Sequence, residues 1–176
     1  MTVTSLVTAD ELFRLSKDGV RYELVRGELR KMSPTGIAHG RVAARITGSL
    51  IIYLELHPIG EVYSNDVGFW LERNPDTVLA PDVAFIRKGR VVDTAKFYEG
   101  QPDVAFEVVS PTDRYTDVEE KAAEWLRGGA TAVVVVDPAR KSARIHRSHE
   151  TVNVTETISI EEVLPNWRLP LAKLFA

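Results

Sequence analysis

Two acids stand where the surrounding sequence calls for apolar side chains. In the strand-like stretch 103–109, alternate residues face opposite ways, so Glu107 shares a face with Ala105 and Val109. Val104, Phe106 and Val108 fill the other face. A carboxylate left unpartnered there would cost on the order of several kcal/mol, so Glu107 calls for a cation, a metal or a hydrogen-bond donor. Asp82 poses the same question within Ala80-Pro81-Asp82-Val83-Ala84-Phe85, directly after a proline and at the head of a small, apolar run. Read singly, each is an edge or end acid facing water. Read together on neighbouring strands, they form an oxygen-ligand pair for a hard divalent cation, with water completing the shell.

Four more residues carry chemistry by type. Lys121 lies three residues after Val118 and four before Trp125, at the edge of the apolar stripe Val118, Ala122, Trp125 and Leu126. A lysine at such an edge either runs its stem along the core or brings an ammonium to a site. Glu23 sits among Tyr22, Leu24 and Val25, and Glu28 follows the next turn. On the residues alone both fit a solvent-facing hairpin with alternating acids. His39 shares a helix face with Val42, Ala43 and Ile46, and on the residues alone reads as a core or capping histidine. His57, His146 and His149 have no metal-ligand spacing.

Other chemistries lack their residues. The chain has no cysteine, which removes thiolate metal sites, disulfides and cysteine nucleophiles. It has no G-x-S-x-G elbow, no Walker A loop and no G-x-G-x-x-G turn. Ser110 precedes a proline without a histidine at triad spacing, and marks the end of a strand.

The elements that must hold these residues follow from pattern. Thr8 and Glu11 have capping-box spacing and open a helix ending near Gly19. Residues 21–25 and 28–32 flank Arg26-Gly27 as two strands about a tight turn. Val42, Ile46, Leu50 and Leu54 recur every four positions in a long helix over 37–56, stopped by Pro58 and Gly60. Stretches 61–64 and 67–71 alternate about Asn65-Asp66 as a hairpin, and 79–86 and 103–109 follow as strands. Thr116 and Glu119 form a second capping box, opening a helix to Arg127 before Gly128-Gly129. The β-branched run 131–136 suits a strand buried on both faces, and 142–146 with 151–155 forms a further hairpin.

With 176 residues, 44% of them hydrophobic, the chain can bury a core unaided, and residues 1–176 read as one domain. The N-terminus lacks a basic segment followed by an apolar run, and the longest apolar run, 132–136, is far too short for a bilayer. A cytoplasmic protein with no membrane partner is expected. The net charge of −3 lends a nucleic-acid partner no support. The basic clusters Arg87, Lys88, Arg90 and Arg140, Lys141, Arg144, His146, Arg147 read more readily as solvated turns and strand faces.

Pro81-Asp82 followed by Phe106-Glu107-Val108-Val109-Ser110-Pro111 resembles the signature of PD-(D/E)xK nucleases. Tyr22-Glu23-Leu24-Val25-Arg26-Gly27-Glu28, Val134-Val135-Val136-Asp137-Pro138, Leu169-Pro170-Leu171 and Leu174-Phe175 extend the likeness over nearly the whole chain, and together resemble the Uma family of restriction endonucleases. The resemblance implies an α/β (α+β) restriction-endonuclease-like core: a central mixed β-sheet flanked by helices, with N-terminal and C-terminal hairpins. It implies metal-dependent phosphodiester hydrolysis in nucleic acid, DNA foremost, with magnesium or manganese held by Asp82 and Glu107, with Glu23 accessory and Glu28 behind it, and with His39 as a phosphate or water contact. The general signature has lysine two residues after the second acid, where this chain has Val109; the resemblance implies that Lys121 supplies it from the following helix. Lys121 would then orient or deprotonate the attacking water. A homodimer is plausible on the ground that cutting a duplex takes two sites. The rival expectation is a nuclease-fold binding or assembly module that no longer cuts, keeping the acids as a structural polar cluster.

Overall fold

The computed structural model describes residues 6–15, 20–64 and 67–176. In chain order the elements are α1 (Ala9–Leu15), β1 (Tyr22–Val25), β2 (Glu28–Lys31), α2 (Ile37–Leu56), β3 (Gly60–Ser64), β4 (Phe69–Glu72), β5 (Thr77–Leu79) and β6 (Val83–Arg87). β7 (Tyr98–Glu99), β8 (Val104–Val108), α3 (Tyr115–Arg127), β9 (Ala132–Asp137), β10 (Ser142–His146), β11 (Thr151–Val154), β12 (Thr157–Ile158), β13 (Leu169–Pro170) and α4 (Leu171–Leu174) complete the order. Among the described residues no helix is long and apolar enough to cross a membrane.

A six-stranded mixed sheet, ordered β11-β10-β9-β8-β6-β3, forms the centre. Its only parallel pair is β8 beside β9, joined by the crossover helix α3. Glu107 and the terminal Asp137 apart, both strands are apolar because both faces are covered. On one face, Val104, Phe106 and Val108 pack with Val42, Ile46 and Leu50 of α2 and with the C-terminal segment. On the other, Ala105, Val133 and Val135 pack with Ala122 and Trp125 of α3 and with Val25, Phe69 and Leu79 of a second, five-stranded sheet. That sheet runs β2-β1-β5-β4-β7, and α1 closes its outer face through Leu12 against Leu24 and Val78.

Most sequence expectations hold. The Thr8 box forms: Glu11 accepts the Thr8 amide at 2.8 Å, and the Thr8 hydroxyl accepts the Glu11 amide at 3.3 Å. The β1–β2 hairpin turns on Arg26 and Gly27, both at positive φ (49° and 80°), the pair a type I′ turn requires. The β10–β11 hairpin forms as expected.

Three expectations are corrected. The stretch 79–86 is not one strand: Ala80, Pro81 and Asp82 leave the ladder, so β5 belongs to the smaller sheet and β6 to the larger. Proline has no amide to donate, which favours a break there. The strands flanking Asn65-Asp66 do not pair: β3 pairs with β6, whereas β4 pairs with β5 and β7. Asn65 and Asp66 lie outside the described residues, as does the expected end of the first helix near Gly19. Helix α3 begins at Tyr115 with Arg114 at its N-cap, and the Thr116 hydroxyl donates to Asp117 rather than capping.

Candidate active site

The break between β5 and β6 is where the candidate residues gather. β6 pairs with β8 in the register Val83↔Phe106 and Ala84↔Ala105. One more step of that register sets Asp82 opposite Glu107, so the two acids are cross-strand neighbours at the sheet's edge of regularity. Asp82 accepts the Val108 amide at 2.7 Å, which fixes its carboxylate against β8. Glu107 points to the α3 face, as its parity with Ala105 requires, and accepts the Trp125 indole N–H at 2.7 Å.

Glu23 arrives from the smaller sheet. Alternation along β1 sends Tyr22 and Leu24 toward α1 and turns Glu23 and Val25 toward α3. Glu23 is 8% exposed and accepts the Ala80 amide at 2.9 Å. Lys121, on the second turn of α3, closes the group. Its ammonium lies 2.8 Å from Glu23 Oε1 and 3.1 Å from Glu107 Oε2, and donates to the Ala80 carbonyl at 3.0 Å. Because Ala80 is outside both ladders, its N–H and C=O are free to hold Glu23 and Lys121. His39 on α2 completes the set: its Nε2 is 3.2 Å from Asp82 Oδ1, while its buried Nδ1 has no partner among the described residues.

Burial and like charge dominate the electrostatics. Burial pushes the Glu107 carboxyl up to about 8, against the pull of Lys121 and with the added push of Asp82 and Glu23. Burial alone would drag the Lys121 ammonium down, but the carboxylates of Glu107 and Glu23 outweigh it and hold it above its ordinary value. Glu23 and Glu107 at the Lys121 ammonium, with the charge of Asp82 felt nearby, leave the cluster short of positive charge, and its donors are hard oxygens suited to magnesium or manganese. Among the described residues no three acidic or histidine side chains already surround one point. A cation would therefore take part of its shell from water, as magnesium ordinarily does.

Asp82, Glu107, Lys121, Glu23 and His39 thus share one cleft of about 580 Å³. Glu28 does not join them; it stands exposed on β2, outside that cleft. Sequence reasoning missed the Trp125 indole as the partner of Glu107, although Trp125 was visible in the helix stripe. It also missed the cleft's basic rim of Arg21, Arg30 and Lys31. The signal was β2 itself, polar at three of its four positions and exposed at all of them.

A family model, Uma2, described as "Putative restriction endonuclease", matches residues 9–172. Among solved structures the chain is similar to "a putative nuclease belonging to DUF820" from Anabaena variabilis, at 17% identity and a TM-score of 0.83. The likeness covers 96% of this chain and 97% of that one, and at this identity it is a likeness of fold. No curated protein matches the chain.

Proposed function

The chain belongs to the Uma2 family, a family of nucleases, and from that premise we propose that it is a divalent-metal-dependent endonuclease hydrolysing phosphodiester bonds of DNA. The observation that supports this reading is the meeting of Asp82, Glu107 and Glu23 around Lys121 on the wall of one open cleft. Asp82 and Glu107, with Glu23 accessory, would hold magnesium or manganese. Such a cation, when bound, lowers the pKa of water and polarises a phosphoryl oxygen.

The chain's own groups do the rest. An ammonium held above its ordinary value has no lone pair to accept a proton at neutral pH, so Lys121 orients the nucleophile and steadies negative charge on the phosphoryl group rather than acting as a base. Trp125 and the Val108 amide keep the two acids from swinging away as substrate enters. His39 braces Asp82 from the opposite side.

A second reading has one observation in its favour. The Lys121 ammonium is already engaged by the Glu23 and Glu107 carboxyl groups and the Ala80 carbonyl, as a self-sufficient structural cluster would have it. One experiment separates the two readings. Manganese titrated calorimetrically into the wild type is expected to bind, and DNA to be cut in its presence; Asp82→Ala and Glu107→Ala should lose both while keeping the far-ultraviolet circular dichroism of the fold. Unchanged manganese affinity in both variants refutes the assignment, and binding without cutting favours the inactive module.

A further inference from the structure

A second cavity, of about 710 Å³, lies beside the first, and His39, Val109, Ser110, Asp113 and Val118 line both. Their common wall contains the His39 side chain, 8% exposed, whose Nδ1 lacks a partner among the described residues. Past that wall stands Tyr115, a large aromatic left 58% exposed. It is not loose. The Arg144 guanidinium lies 4.8 Å from its ring centroid and also donates to its hydroxyl, and Glu119 anchors Arg144 in turn at 2.7 Å. The ring is a fixed, solvent-facing flat surface beside the candidate active site.

Cations line both cavities. Arg21, Arg30 and Lys31 line the first cavity, and Arg140, 75% exposed, lines the second. Acids answer several of them: Glu120 lies 3.6 Å from Arg30, and Asp137 lies 3.7 Å from Arg140. With a net charge of −3, the chain offers short basic patches rather than the broad basic face that a duplex footprint exploits. The acids are also recessed, with Glu23 and Glu107 at 8% and 7% exposure. A stiff duplex must bring its phosphate down into the cleft, whereas an unpaired strand can bend into it and leave a base to stack on Tyr115. Exposed aromatics between backbone-tracking cations are how unpaired strands are held without sequence readout.

We infer that the endonuclease acts on unpaired DNA, with the strand running from the Arg21–Arg30–Lys31 rim past Asp82 and Glu107 and stacking a base on Tyr115. This rests on the function proposed above and adds its substrate class. One strand needs one site, so no second copy of the chain is required.

Fluorescence anisotropy with the full chain in calcium tests it, using a labelled unpaired DNA, its duplex and an RNA of the same sequence, followed by cleavage of each in manganese. Unpaired DNA should bind more tightly than duplex. Tyr115→Ala should weaken that binding roughly tenfold, leave duplex binding unchanged, and be rescued in Tyr115→Phe, which keeps the ring. Equal or tighter binding of duplex or of RNA, or an unmoved Tyr115→Ala, overturns the inference. Duplex cut as fast as unpaired DNA overturns it while sparing the proposed endonuclease. No cleavage of either DNA in manganese overturns both.

Discussion

Glu107 carries a strong electrostatic demand in the cleft, and its chemistry sets a pH dependence. In metal-free protein its carboxyl titrates near 8 instead of near 4.5, because burial disfavours its charged form. Between those values the folded chain keeps a proton that the unfolded chain has lost. Stability from this group is therefore fully present below 4.5 and is lost as pH rises through about 8. Urea unfolding across that range, with a chelator present, should show wild-type stability falling with pH and a flatter profile for Glu107→Gln. Superimposable profiles would contradict the assignment. The sequence made this residue legible, since one acid among Val104, Ala105, Phe106 and Val108 is a conspicuous interruption. Glu23 was less so, because alternation of an acid with apolar residues is what an exposed hairpin also produces, and only the packing of that face of β1 against α3 buries it.

At the scale of elements, the site depends on where regular structure stops. The periodicities gave α2, the β1–β2 hairpin and the buried strand β9, each of which has a local cause in its own residues. They did not separate β5 from β6, because the stretch 79–86 is apolar on both sides of the break and only Pro81 and Asp82 mark it. Nor did they assign β3 and β4 to different sheets, since pairing between distant segments leaves little trace in either strand. Helix α3 contributes through both Lys121 and Trp125, four residues apart and hence on one face. Trp125→Phe keeps the ring packed against Phe69 but removes the indole donor to Glu107. We expect a loss of about 1–3 kcal/mol in chemical denaturation, with metal affinity weakened as well. A stability change with metal affinity intact would make the indole purely structural.

Across the whole molecule, the large sheet separates two cores. Phe106 belongs to the one remote from the cleft, fully buried and edge-on to Trp167 with ring centroids 6.0 Å apart. Its neighbours in sequence, Ala105 and Glu107, face the other way. Phe106→Ala should therefore cost about 3–5 kcal/mol in equilibrium unfolding, while the folded fraction still binds manganese; a stable variant that has lost the metal would show that the two faces are not independent. The cluster itself draws on both sheets: Glu23 from the smaller and Glu107 from the larger, with Ala80 and Asp82 in the break between them. A slip of one residue in either sheet reverses every side chain along the slipped strand. Such a misfolded chain would hold all the same residues and have no site. The three residues where β5 gives way to β6 therefore act as a checksum on the fold, correct only when two independently registered sheets agree.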